Sequence, residues 1–484
     1  MSDHIPRQEH VLILKCNQRS SLDRYMMEFL RKLFAPIDMT QGRPGKQIVA
    51  FTIPMLLGNI AQQLYNTVDS IIVGKFVGDN ALAAVGSAGP ILNLLLVLFV
   101  GISVGAGIMV SQYFGAKERE ELSKSIGCCI TMTLVASVIV MAVAPLITKP
   151  LLRLLNTPES IFDWCNSYLL ILFIGIAGSA FYNILSGILR GLGDSISALI
   201  YLLVATVINI VLDYVFVAYF SMGVAGVALA TVIAQWVSAA MAFVKLYKMR
   251  EVFDLKAEYL KPEKKYMGRL IRLGLPSGVT QAIFSMSMIV VQSLTNSFGE
   301  MFIAANVIVM RVDGFAMMPA FSFGTAMTTY AGQNVGAKRM DRVMQGTKEG
   351  TAIAVGTSTV ITVLILLFGR FLMEIFTSTP ELVELSYDMM SILAVGYIAV
   401  EVTQCLSGVM RGAGDTVTPM WISMITTVAI RVPLAYGLAY LTRTPELPEG
   451  NSACIFVSLL ISWVLGACLT ALFFKLGYWK KKAL

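Results

Sequence analysis

"LSGILRGLGDS" (185–195) returns as "LSGVMRGAGDT" (406–416), 221 residues further along a chain of 484. Two other pairs stand at the same distance: "SQYFGAKERE" (111–120) with "GQNVGAKRMD" (332–341), and "FVGDNALAA" (76–84) with "SFGEMFIAA" (297–305). Pro54 answers Pro276 at one residue more. Three matches at one offset describe an internal duplication, so the fold has to be built from two copies of one unit.

Hydropathy says what that unit contains. The chain is 56% hydrophobic and 14% charged, with a mean hydropathy of +0.72, whereas soluble domains carry about 25% charged residues. About 20 consecutive apolar residues cross a bilayer. Twelve such runs occur: 48–73, 83–113, 125–148, 165–188, 196–220, 223–247, 273–297, 302–331, 347–370, 386–410, 417–441 and 452–476. None alternates with the two-residue period of a barrel strand, and backbone in lipid must satisfy its own hydrogen bonds, so helices are expected. The 39 glycines suit close helix–helix approach. The expected fold is an all-α polytopic membrane protein of twelve transmembrane helices in two six-helix lobes. An even number of spans per copy makes the repeats parallel, an arrangement in which transporters place their site between the halves.

Lys and Arg in the loops give the orientation. One set of alternate loops carries Lys117, Arg119 and Lys124, then the basic stretch from Lys245 to Arg272, then Lys338, Arg339, Arg342 and Lys348. The opposite loops hold only Lys75, Lys149, Arg153, Arg370 and Arg443. Both termini are therefore expected in the cytoplasm, with the protein in the inner (cytoplasmic) membrane. The net charge of +7 reflects this asymmetry and implies no nucleic-acid partner. The divisions expected are an arm (1–47), an N-lobe (48–247), a basic linker (248–272), a C-lobe (273–476) and a basic tail (477–484). Within the arm, "VLILKCNQRSSLDRYMMEFLRKLF" (11–34) mixes apolar and basic residues and suits the anionic inner leaflet; the alternative is that translation begins at Met39.

The seven cysteines show no metal-ligand spacing and read as small core residues. The two histidines, His4 and His10, lie in the arm, which removes histidine-based catalysis from the membrane domain. No nucleophile–base or metal constellation appears, so an enzyme is not expected, nor a resident cofactor.

Polar residues inside the spans are costly and mark function by default. Asp69 lies in "IVAFTIPMLLGNIAQQLYNTVDSIIV" (48–73), where an acid at the centre of a helix costs about 2.5–3.5 kcal/mol to insert. Its counterpart in the other half is Val290 or Val291; Asn209 answers Ile430, and Asp213 answers Leu434. Where the first half is acidic, the second is oily. Asp69, Asp213 and Thr231 all fall in the outer half of their spans, within roughly two helical turns of one another in depth. Asn209 and Asp213 share one helix face, as Tyr65 and Asn66 share that of Asp69. Two carboxylates, an amide and a hydroxyl make a cation site, with oxygen ligands suited to Na⁺ on Asp69 and Asp213. Equally, two adjacent acids cannot both ionise cheaply, so the pair would share a proton. The bland alternative is a hydrogen-bonded network that only fixes packing.

The second half has fewer such residues. Glu401 in the tenth span and Arg431 in the eleventh either pair or serve separately, Glu401 as a second coupling or substrate-facing acid. Arg311 and Asp313, two apart, do not face each other on a helix and read as anchors. Gln62 and Gln281 are candidates for lining a central cavity. Arg190 with Asp194, and Arg411 with Asp415, are duplicated and read as structural turns. The 27 methionines suit a promiscuous pocket or plain apolar filling.

"IPMLLGNIAQQLYNTVDSIIVGKFVGDNALAAVG" (53–86), "GAKERE" (115–120), "LRGLGDS" (189–195), "NIVLDYVF" (209–216) and "GVAGVALATVIAQW" (223–236) resemble the multidrug and toxic compound extrusion (MATE) family, from about residue 40 to 476. The resemblance implies two lobes in a V shape and export of amphiphilic, often cationic organic compounds in exchange for H⁺ or Na⁺. It maps the family's N-lobe cation site onto Asp69, Asn209, Asp213 and Thr231. "PSGVTQAIFSMSM" (276–288) lacks the acid that the NorM-like branch carries in its seventh span, which moves the chain toward the DinF-like branch. The partners expected are small organic substrates and membrane lipid, with the protein acting as a monomer. The runner-up reading is a flippase for lipid-linked saccharides in the same superfamily.

Overall fold

A computed structural model describes residues 36–155, 157–445 and 447–482. Residues 1–35, with His4, His10, Cys16 and the amphipathic part of the arm, lie outside the described residues. All regular structure described is helical. The N-lobe comprises α1 (Pro44–Phe76), α2 (Asp79–Ala116), α3 (Arg119–Leu154), α4 (Glu159–Ile174), α5 (Ile176–Gly191), α6 (Ser195–Tyr214) and α7 (Gly223–Lys248). The C-lobe comprises α8 (Lys264–Ser297), α9 (Glu300–Ala316), α10 (Met318–Gly336), α11 (Met340–Glu374), α12 (Pro380–Gly412), α13 (Val417–Met424), α14 (Arg431–Leu441) and α15 (Cys454–Leu476). A π-helical turn, Val215–Tyr219, continues α6, and another, Ile425–Ile430, joins α13 to α14.

Eleven spans among the described residues are long and apolar enough to cross a membrane, counting α9 with α10, and α13 with α14, as single spans. The twelfth is broken: α4 and α5 meet at a 51° bend. Sequence reading expects one continuous span over 165–188, and the break falls where the chain lies against α7. Gly175 separates the two helices, and a Cβ there would strike the Val232 side chain; three residues on, one at Gly178 would lie 2.9 Å from the Trp236 ring. The chain bends around α7 where glycine lets it. Several helices also outrun their apolar cores. α1 begins at Pro44, inside the stretch assigned to the arm, and α8 at Lys264, inside the linker. At 1.5 Å per residue, 33 or 34 residues exceed a hydrocarbon core of about 30 Å, so the basic first turns stand in the headgroup region.

The duplicated turns show why they were copied. Asp194 caps α6, accepting from the Ser197 N–H (2.9 Å) and hydroxyl (2.7 Å); Asp415 does the same at Thr418 (3.1 and 2.6 Å). Each also holds a lysine, Lys245 at 3.4 Å and Lys482 at 2.8 Å. These pairs belong to the end of the molecule that carries the Lys/Arg-rich loops, the basic end.

Core packing divides by depth. Far from the basic end, one core runs from Val73 to Ala228 and draws only on the N-lobe, and another from Val291 to Leu459 only on the C-lobe. Toward the basic end the cores mix. Tyr266, Leu270 and Leu273 of α8 pack with α2, α3 and α5, and Ile48 and Phe51 of α1 pack with α10 and α12. The two lobes are thus fused from the basic end to mid-span, where the Asn59 amide of α1 donates to the Ser322 hydroxyl of α10 at 3.0 Å. Glycine permits the fusion: a Cβ on Gly105 would lie 2.7 Å from the Gly274 nitrogen, and one on Gly101 2.9 Å from the Gly274 carbonyl. Gly105→Leu should therefore lower stability by about 1–3 kcal/mol through overpacking. Gly356→Ala, mid-helix at a site with nothing within 4 Å, should raise stability by about 0.5–1 kcal/mol. Thermal unfolding in detergent measures both.

Candidate functional site

α1, α6 and α7 bring Asp69, Asn209, Asp213 and Thr231 together in the N-lobe. Asn209 and Asp213, one turn apart on α6, are both 0% exposed. The carboxyl groups of Asp69 and Asp213 lie within hydrogen-bonding reach of each other. With its NH₂ turned to Asp213, the Asn209 amide donates to Oδ2 (2.9 Å) and its oxygen accepts from the Thr231 N–H (3.2 Å). Tyr65, one turn before Asp69, places its hydroxyl 3.4 Å from the Thr231 Oγ1.

Two oxygens are left over. Asp69 Oδ1 and Asp213 Oδ1 are both sealed from solvent without a hydrogen-bond partner. Buried acceptors are rarely left so, and a carboxylate can only accept. A proton shared between the acids, or a cation held by their oxygens, satisfies them. Tyr168 on α4 is the further ionisable group close enough to feel both carboxyls. Sequence reading passed over it, although its opposite number is Met389. Extending the comparison between halves from carboxylates to tyrosines would have marked it.

The supporting candidates scatter. Asn66 faces away from the acids; it is exposed and accepts from the Gln62 amide at 3.4 Å, so the shared helix face with Asp69 does not bring it into the chamber. Gln62 and Tyr65 line a small cavity with Thr206 and Gln235, with room for about one water molecule. Gln281 is exposed on α8, where its backbone carbonyl accepts from Ser285.

In the C-lobe no ion pair joins Glu401 to Arg431, which corrects the pairing reading. Arg431 opens α14 directly after the π-turn, where its charge acts on Asp313, not on Glu401. Asp313 accepts from the Tyr397 hydroxyl at 2.8 Å. Glu401, one turn along α12 from Tyr397, is 1% exposed, and its Oε1 has no partner. Arg311 is exposed while Asp313 is buried, as two residues apart on a helix requires.

Comparison with known proteins places this architecture. The MatE family model matches twice, over residues 54–215 and 276–437, beginning on the paired prolines of the two halves. "Probable multidrug resistance protein YoeA" of Bacillus subtilis is 32% identical over 420 residues, covering 85% of this chain and 91% of that one. "Probable multidrug resistance protein NorM" of Thermotoga maritima is 24% identical, covering 90% of this chain and 94% of that one. Among solved structures, "Crystal structure of MATE in the bent conformation" superposes with a TM-score of 0.85 at 23% identity, over 93% of this chain and all of that one. The duplicated helical fold and the double family match lead to one conclusion: the chain belongs to the MATE family of membrane transporters.

Proposed function

We propose that the protein is a secondary active exporter that exchanges H⁺ or Na⁺ for amphiphilic, often cationic organic compounds across the cytoplasmic membrane of a prokaryote. The observation that carries the reading is the Asp69–Asp213 pair, drawn from two helices, with one sealed and unsatisfied oxygen on each. The names of the relatives, multidrug resistance proteins, support the substrate class. By the distribution of Lys and Arg the basic end faces the cytoplasm, so lobes joined from there to mid-span and with separate cores beyond describe a molecule open to the outside. α8 carries no Asp or Glu from Lys264 to Ser297, which supports the DinF-like branch. A flippase for lipid-linked saccharides would want a strongly cationic central cavity, and Arg431 has its charge offset by Asp313.

In mechanism, the cation has to bind one conformation better than the other, because equal affinity shifts nothing. α1 supplies one acid, while α6 supplies the other together with Asn209. Proton or Na⁺ uptake removes the repulsion between the acids, so the two helices can close on each other. Release of the ion restores the repulsion and reopens them. Thr231 and Tyr65 tie the movement to α7.

In proteoliposomes loaded with an ethidium-like dye, Asp69→Asn and Asp213→Asn should each reduce ion-driven export about tenfold or more while inserting normally. Export by either variant at the parent rate would remove the proposal. A pH jump and a sodium jump in the same vesicles should give unequal responses in the parent protein, and the larger should vanish in both variants. A response to both jumps that survives both substitutions would place coupling elsewhere in the chain.

A further inference from the structure

Gln112 on α2 and Gln333 on α10 are counterparts in the repeat, both nearly or wholly buried at the basic end. Each reaches across the seam between lobes. The Gln112 amide donates to the carbonyl of Gly412 at 2.8 Å, and the Gln333 amide to that of Gly191 at 3.1 Å. Gly191 and Gly412 are themselves counterparts, so the two bonds are one interaction made twice, each lobe gripping the other. Backbone contact reinforces the exchange. A Cβ on Gly115 would meet the Gln333 carbonyl, and one on Gly336 the Gln112 carbonyl.

The symmetry breaks at the other end of each amide. Gln112 Oε1 accepts from the Arg269 guanidinium, which also donates to Tyr113 at 2.8 Å. The prolines that follow pair at 222, which sets Gln47 opposite Arg269; its amide donates to the Asp38 carbonyl at 3.1 Å and not to Gln333. Gln333 Oε1 accepts instead from the backbone N–H of Met39 at 2.8 Å. Residues 37–42 are bound for that purpose. Arg342 donates to the carbonyls of Gly42 (3.0 Å) and Met39 (3.2 Å), Asn334 donates to that of Met39 (3.1 Å), and the Ile37 N–H donates to Gly193 of the other lobe (3.2 Å). Met39 is 0% exposed.

We infer that Gln112 and Gln333 form a two-fold latch closing the cytoplasmic side, and that residues 37–42 are a strap completing one half of it. The inference rests on the exporter reading for which side is cytoplasmic. Hydrogen bonds exchanged for water on opening are individually weak in net terms, which suits a closure that must break every cycle. Because the strap touches both lobes and supplies Gln333 with the donor that α1 does not, its presence favours the state closed on this side.

The test uses the full chain with Cys16 and Cys468 replaced by serine. Ser111→Cys serves as reporter, since Ser111 is 0% exposed and presses on Gly332 across the seam. A membrane-impermeant maleimide is applied to inside-out vesicles. Labelling should rise about tenfold when Gln112→Ala and Gln333→Ala are combined, and about threefold more with Met39→Pro than with Met39→Ala, since both lose the buried side chain and only the proline loses the N–H donor. Unchanged labelling in the double-alanine protein, inserted and as heat-stable as its parent, overturns the latch. Equal labelling with Met39→Pro and Met39→Ala overturns the strap, and that pair stands alone if the Gln112→Ala, Gln333→Ala protein misfolds. The readout is closure and not export, so a chain that labels as expected yet moves no dye keeps the latch and refutes the exporter.

Discussion

Main chain meets main chain between the two lobes at one end of this molecule, and the rest of its design depends on that contact. Gly101, Gly105, Gly115, Gly274 and Gly336 are the places where a side chain as small as a methyl group would force the lobes apart. In lipid, where apolar burial offers no bias toward one helix over a lipid tail, close packing and polar contacts across an interface decide association. The seam has both, the polar contacts beside Gly115 and Gly336 at the basic end and the backbone approach of Gly101 and Gly105 to Gly274 farther in. Away from it each lobe keeps its own core, so the separation of the outer ends does not compromise either.

Symmetry and its breakage do different work. Residues present in both copies serve the scaffold: Asp194 and Asp415 cap equivalent helices, and Gln112 and Gln333 bind equivalent carbonyls. The cation-site acids of the first lobe, present in one copy, are left chemically unfinished. Asp69 and Asp213 hold unsatisfied oxygens, while a hydrocarbon occupies each equivalent position. In the second lobe Tyr397 completes Asp313, and Glu401 is the acid with an oxygen left open. A duplicated gene supplies two scaffolds, and a carboxylate retained in only one of them can titrate without disturbing the other.

Much of this was legible from residues alone because hydropathy and repetition are properties of the chain itself. The spans, the two copies and the convergence of Asp69, Asn209, Asp213 and Thr231 needed only spacing and depth. The break at Gly175 was not legible, since the apolar run continues through it and its cause is Val232, far along the chain. The partner of Arg431 was missed for a similar reason: a π-turn precedes it, which shifts its facing by a residue relative to an ideal helix. Asn66 was misjudged because three residues of spacing puts two side chains on one side of a helix without saying which way either turns.

Val215–Tyr219 begins two residues beyond Asp213 and ends its span, and its wider turn carries more residues than the α-helix before it. That is slack wound into a rod. Were it taken up by tightening to ordinary helix, the link Phe220–Met222 into α7 would be carried round by about 100°, the angle of one residue, while Asp213 and the inward stretch of α6 stayed in place. The acid would then stand at a swivel, fixed on one side and free to turn on the other.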